Sequence, residues 1–318
     1  MTVTDRPRTS SGAVAKKRAI RRGPASWIRG GGLSNLIFLL PMLLIFGIFS
    51  WYPIVRAVVM SFQHTNLIAP PTWVGWSNFV QVVNDPLFWT AVGNTAWFAV
   101  LALVLGYPVP LIAAVLMSEV KRAKGLYSAL AYLPVVVPPV VAVLLWKFFY
   151  DASPTGVFNT ILGWVGIPPQ PWIQSATQAM PSLVVEATWA AAGGTIIIYL
   201  AALTGVAPEL YDAAEVDGAS IWKKIWHVTL PQLRGILLIT LILQIIGTAQ
   251  VFLEPFLFTA GGPVNSTVTV LLLIYRWAFQ NSTGGAYGEA TALSLILAVF
   301  LAILSLAYFR LTKSWSQN

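Results

Sequence analysis

At 318 residues the chain has the length of one or two globular domains, but 57% of its residues are hydrophobic and only 9% are charged, with a mean hydropathy of +0.73, which excludes an ordinary water-soluble fold. It has no cysteine, so disulfides and thiolate metal sites are excluded, and its two histidines, His64 and His227, lie far apart in sequence. The net charge of +8 does not mark a nucleic-acid surface, because eight of the nineteen Lys and Arg residues fall before residue 30, a juxtamembrane pattern.

In chain order, residues 1–30 are basic and rich in Ser, Thr, Gly and Pro without hydrophobic periodicity, as expected of a largely disordered cytoplasmic tail. The apolar run 33–50 is too long for a signal-peptide core, lacks a small-residue cleavage site and stays apolar past Trp51 and Tyr52. It is read as an anchor and first span. Five further spans are expected at 91–117, 126–148, 181–203, 235–259 and 289–309, each about the ~20 residues a bilayer core requires. An even number of spans puts both termini on one side. The tail, Lys121, Arg122 and Lys124, Lys223, Lys224 and Arg234, and Arg310 and Lys313 place sixteen of nineteen basic residues on that side. The exceptions are Arg56, Lys147 and Arg276. By the positive-inside rule both termini are cytoplasmic. The expected architecture is an all-α, multi-pass membrane domain over 31–318 with six transmembrane helices, and its longest internal cytoplasmic loop covers 205–234. Asn265-Ser266-Thr267 and Asn281-Ser282-Thr283 match the glycosylation tripeptide, a pattern short enough to arise by chance. No GxxxxGK[ST] sequence is present, so ATP cannot be bound by that route.

The loop concentrates the chain's scarce charge. Pro208 and Glu209 suit the first turn of a short helix, and Leu210, Ala213, Ala214 and Asp217 recur on one small-centred face. Asp217-Gly218 signals a turn. Ser220 is placed to cap a second short helix with an Ile221, Ile225, Val228 stripe, which Pro231 is expected to end. Trp222, Trp226 and the two lysines suit the lipid headgroup region. The plainer account is a connector that is polar because it is wet.

The residue order Asp212-Ala213-Ala214, three residues, Gly218, nine residues, Val228-x-Leu230-Pro231 resembles the EAA loop of the permease subunits of ATP-binding-cassette importers, with Asp212 for Glu and Val228 for Ile. The stretches 189–219 and 251–279 resemble the carbohydrate branch of that family, and within it the maltose-type first permease. So do 52–62, 74–89 and 292–311. Leu253, Pro255 and Glu289 depart from the family's usual residues. The resemblance implies a type I importer permease fold in a bacterial cell membrane and inward movement of a di- or oligosaccharide. It implies ATP bound by partner subunits, with no cofactor on this chain. The implied partners are a second permease, two ATPase subunits and an extracytoplasmic solute-binding protein. Glu209, Leu210, Asp212, Ala213, Ala214, Asp217, Gly218, Leu230 and Pro231 would then form the joint to an ATPase.

Ionisable groups within spans are costly and default to functional candidates. Glu186, Glu254 and Glu289 lie near expected outer ends, where an interfacial carboxylate reaching water is the plain alternative. Gln244, Thr248, Gln250 and Glu254 sweep a polar arc of roughly 160° if the fifth span is one helix. With Trp189, whose ring suits a sugar face, they form the expected substrate path. No constellation supports chemistry on a substrate. A permease for another polar solute, such as a glycerol phosphodiester, remains open. A self-contained secondary transporter fits less well, since the span centres are nearly free of charge and no repeat is evident.

Overall fold

The computed structural model describes residues 32–120, 122–280 and 286–315. The tail 1–30, Lys121 and the tripeptide at Asn281 lie outside these residues.

In hydrocarbon every backbone N–H and C=O needs an internal partner, which a helix supplies within one segment. The first long helix, α1 (Ser34–Met60), runs on well past Ser50. Most of it belongs to a compact unit ending at Arg56, and its large apolar side chains, such as Phe38 and Phe49, are exposed. The second unit, Ala57–Asn318, holds the rest of the chain. It begins with a two-stranded antiparallel ladder, β1 (Gln63–His64) and β2 (Thr72–Trp73), followed by α2 (Ser77–Asn84). Then come α3 (Pro86–Ser118), α4 (Lys124–Val136), α5 (Pro139–Phe149), α6 (Val157–Gly163) and α7 (Ala179–Thr204). The chain closes with α8 (Pro208–Val216), α9 (Ile221–Ala249), α10 (Val270–Gln280) and α11 (Tyr287–Trp315).

Prolines shape these helices. α1, α3 and α9 each contain one π turn, at Gly47–Trp51, Ala102–Gly106 and Ile225–Thr229, two residues before Pro53, Pro108 and Pro231. A prolyl ring removes an N–H and collides with the carbonyl four residues back. Those carbonyls belong to Phe49, Val104 and His227, each the central residue of its π turn. The wider register moves them aside without breaking the helix. Pro231 therefore does not end the short loop helix, contrary to the sequence expectation. Ile221–Ala249 is one helix of 29 residues.

Two expected spans are broken instead. The segment expected as one span at 126–148 is α4 and α5, bent by 96°. Each of two consecutive prolines pushes the residue before it out of the helical region, and Val137 and Pro138 are extended, with ψ of 128° and 132°. The span expected at 235–259 ends at Ala249. Residues 250–252 are non-helical before a short turn leads into the π segment Pro255–Thr259. Pro255 cannot supply an N–H to the carbonyl of Val251, and the Thr269 hydroxyl donates to that oxygen instead, at 2.9 Å. The expected outer loop 260–287 is folded too. α10 buries Val270, Leu272 and Leu273, and the backbone N–H of Val270 donates to the Thr95 hydroxyl at 3.0 Å.

α7 is the most enclosed helix. Met180, Leu183 and Val184 join Phe98, Val143 and Phe258 in one buried cluster, while Ile196 and Tyr199 join Ala114 in another. Between these clusters α7 crosses α4 so closely that a Cβ on Gly193 would press into the Ala131 carbonyl oxygen, whereas one on Gly194 would meet nothing within 4 Å. Gly193→Ala is therefore expected to destabilise the detergent-solubilised chain, by about 1–3 kcal/mol of overpacking. Gly194→Ala should be neutral or stabilising, since helix propensity favours alanine by about 1 kcal/mol. Thermal unfolding followed by circular dichroism checks the contrast, and equal melting temperatures for the two variants would contradict the close crossing.

Candidate functional site

Two constructions stand out, one at each end of α9. The first is the bracket of α8 and the start of α9. Pro208 opens α8 at its first turn and Glu209 follows it, where the helix dipole favours an acid. At the other end Gly218 N–H donates to the Glu215 carbonyl at 3.0 Å and Ala219 N–H to the Ala214 carbonyl at 2.9 Å. That is the Schellman pattern, which needs a left-handed residue just beyond the helix, and Gly218 has φ of +71°. A Cβ there would meet no atom within 4 Å, so the requirement is conformational rather than one of space. The Ser220 side chain makes no capping hydrogen bond, contrary to expectation.

Two side-chain links hold the bracket. The Tyr211 and Thr229 hydroxyls are 3.1 Å apart, and the Lys224 ammonium donates to the Glu215 carboxylate at 2.8 Å. That hydrogen bond, and then the charge behind it, holds the Glu215 carboxyl below the usual carboxylate range. The pair's contribution is present above the unfolded carboxylate's range and is lost as pH falls through the depressed folded value, so it is intact at neutral pH. Glu209, Leu210, Asp212, Ala213, Asp217, Gly218 and Pro231 are exposed, while Ala214 and Leu230 are half-buried. Val216, Trp222 and Trp226 add apolar surface at 89%, 69% and 66% exposure. The bracket thus presents an exposed surface with uncovered apolar groups.

The second construction is a cavity of about 450 Å³ between α3, α7 and the broken end of α9. Gln244, Thr248, Gln250 and Glu254 all line it. They do so although the continuous helix that would have aligned them does not exist: Gln250 and Glu254 stand on opposite sides of the break. Thr188 and Thr195 of α7 and the rings of Phe98 and Phe252 complete the lining. Gly106 brings α3 close, and a Cβ on it would lie 2.8 Å from the Thr188 hydroxyl oxygen and 3.7 Å from the Gln244 amide nitrogen.

Trp189 is not among the lining residues. One position on from Thr188, it is turned away by about 100°, and its ring packs 5.6 Å from that of Trp146. The three carboxylates separate. Glu254 lines the cavity, Glu289 faces a smaller cavity of about 240 Å³ with Gln81 and Asp85, and Glu186 is buried at 2% exposure with one carboxylate oxygen unpartnered among the described residues. Thr188 and Thr195 stand seven residues apart on one helical face with Ala191 and Ala192, a spacing legible in the sequence. Phe252 carried no signal, because its position depends on the break. At the Asn265 tripeptide, the amide oxygen accepts from Arg276 at 3.2 Å and Thr267 is fully buried.

Residues 106–317 match the sequence model of the binding-protein-dependent transport system inner membrane component. The chain is 34% identical over 284 residues to an arabinooligosaccharides transport system permease protein of Halalkalibacterium halodurans, covering 89% of this chain and 88% of that protein. It is also 34% identical over 282 residues to a lactose transport system permease protein of Rhizobium radiobacter, covering 87% and 93%. In structure it is similar to a chain of a bacterial ABC transporter that imports the acidic polysaccharide alginate. The TM-score is 0.79 at 28% identity, covering 90% of this chain and 97% of that one. It is also similar to a chain of a bacterial alginate ABC transporter in complex with an alginate pentasaccharide-bound periplasmic protein, with a TM-score of 0.79 at 27% identity, covering 92% of this chain and 98% of that one.

The left-handed turn gives a direct test of the bracket. Away from glycine such a conformation costs about 1–2 kcal/mol, least for asparagine, which corresponds to roughly five- to thirtyfold in an opening equilibrium. Hydrogen exchange across 208–224 should quicken by that factor in Gly218→Val and change little in Gly218→Asn. Glu215→Gln should also change it little, because exposed ion pairs contribute about 0–1 kcal/mol. Unchanged protection in Gly218→Val would remove the turn from the account.

Proposed function

The chain belongs to the family of binding-protein-dependent transport system inner membrane components, and on that premise we propose that it imports a neutral di- or oligosaccharide, driven by ATPase subunits that are separate chains. It is a multi-pass membrane transport subunit and part of an ABC importer. The sugar assignment is supported by relatives named for arabinooligosaccharide and lactose transport and by the lining of the cavity. Its volume of about 450 Å³ falls within the range of small-molecule sites, about 300–1,000 Å³. The single observation that carries the proposal is that Gln244, Thr248 and Glu254 converge there with Thr188 beside two aromatic rings. Amides, hydroxyls and a carboxylate suit sugar hydroxyls, and the rings suit the apolar faces of a sugar. Among the described residues no lining side chain is basic and one is acidic, which disfavours an anionic solute such as a glycerol phosphodiester.

In this proposal the exposed α8 face, centred on Ala213 and Ala214, seats in a cleft of an ATPase subunit. A second, similar permease presents its own bracket to the other ATPase, and a solute-binding protein delivers the sugar from outside. Both termini are cytoplasmic, supported by the distribution of basic residues. ATP is bound only by the partners. The membrane site holds the sugar weakly, because a site that bound equally well in both orientations would not bias the switch between them.

Uptake by the assembled importer in proteoliposomes tests this. A hydrogen bond to a charged group contributes about 1.5–3 kcal/mol, so Glu254→Ala should lower the maximal rate at least about tenfold without changing which sugar is taken. Gln244→Ala should have a smaller effect in the same direction, and both variants should still assemble with the ATPase. Wild-type rates in both variants would take the cavity out of the path, and robust uptake by this chain without an ATPase would overturn the division of labour.

A further inference from the structure

The close crossing of α4 and α7 at Gly193 has an open counterpart. Toward the Lys124 end of α4 and the Thr204 end of α7, a cavity of about 560 Å³ lies between these helices and the end of α3. Its walls include the apolar Met117, Leu200 and Leu203, and it also carries Glu119, Lys124 and Ser128. Glu119 and Lys124 are both exposed, and among the described residues neither forms an ion pair. Ser128 is half-buried in the same wall. Three apolar helices end here, at Ser118, Lys124 and Thr204, which puts the charged groups at headgroup level and the apolar wall just inside the hydrocarbon. An acid and a base that are not paired with each other, beside an apolar wall, match a zwitterion that carries hydrocarbon.

We propose that this cavity binds one phosphatidylethanolamine of the cytoplasmic leaflet, with its phosphate on Lys124 and Ser128, its ammonium on Glu119 and its acyl chains along Met117, Leu200 and Leu203. Phosphatidylglycerol offers Glu119 no cation, and phosphatidylcholine offers it no N–H. Pro208 and Tyr211 of α8 line the same cavity, and Tyr211 is the residue tied to Thr229. The lipid therefore buttresses the root of the bracket from the membrane side. The proposal rests on the cytoplasmic placement of this face and not on which solute is carried.

Native mass spectrometry of the full chain, released from bilayers of equal parts phosphatidylethanolamine, phosphatidylglycerol and phosphatidylcholine, tests it without a transport assay. Wild type should retain one phosphatidylethanolamine. Glu119→Gln and Lys124→Gln should each lower that retention about tenfold or more, the effect of one charge-assisted hydrogen bond, with unchanged melting temperature. Glu119→Asp and Lys124→Arg should retain most of it. Soluble glycerophosphoethanolamine should not displace the lipid, because the apolar wall holds part of it. Equal retention of all three lipids, preference for phosphatidylglycerol, full retention in both neutralised variants, or displacement by the soluble headgroup would each overturn the proposal. So would cross-linking of Ser128→Cys to an ATPase subunit in the assembled importer, which would make the occupant a protein.

Discussion

A backbone carbonyl that loses its donor inside hydrocarbon must find another within the protein, since no water is there to replace it. This chain puts prolines in its spans, and much of its architecture follows from how each lost bond is handled. At Pro53, Pro108 and Pro231 the helix opens by one π turn and continues, whereas around Pro41 and Pro134 it stays α-helical. Where two prolines adjoin, at Pro138-Pro139, the chain turns by 96°. Where a side chain from elsewhere takes over, as the Thr269 hydroxyl does for the Val251 carbonyl, the helix stops. That stop opens the cavity end of α9.

One continuous helix then joins the two functional constructions. α9 starts in the bracket, passes its π turn at Ile225–Thr229 and ends at the cavity with Gln244 and Thr248 on its wall. Its 29 residues make a rod of about 44 Å at 1.5 Å per residue, longer than the roughly 30 Å hydrocarbon core. A helix of that length links the bracket to the side chains of Gln244 and Thr248, with one π turn along the way. The rings of Trp222 and Trp226 sit near the bracket end, where the headgroup region suits them.

The helices and the bracket were legible in the sequence because their signals are local. Apolar runs of the right length marked the membrane helices, and Pro208, Glu209 and Asp217-Gly218 marked a short helix and its left-handed exit. The breaks were not legible in the same way, since a proline in an apolar run has several outcomes. Pro231 and Pro255 look alike in sequence, yet one lies in a continuous helix behind a π turn and the other follows a break at 250–252, where the Val251 carbonyl accepts from the hydroxyl of Thr269, fourteen residues beyond Pro255. For the same reason Gln244, Thr248, Gln250 and Glu254, expected on one face of a continuous helix, meet at one cavity across a break. Trp189 was placed with them on residue type alone, and the helical phase one position from Thr188 turns it to Trp146. α10 gives no membrane-span signal, because its apolar residues are too few to span a membrane and are buried against the protein instead.

The central claim is that the break in α9 opens onto the route of the sugar. The chain contains no cysteine, so a single introduced thiol reports one position without background. In the assembled importer, the rate at which a water-soluble thiosulfonate modifies Gln244→Cys should depend on the nucleotide state of the ATPase and should fall when the transported sugar is added. Ile239→Cys, five residues back and 54% exposed on a face outside the cavity, should show neither dependence. If Gln244→Cys is unreactive in every nucleotide state, or reacts at a rate the sugar does not alter, the cavity is not the route.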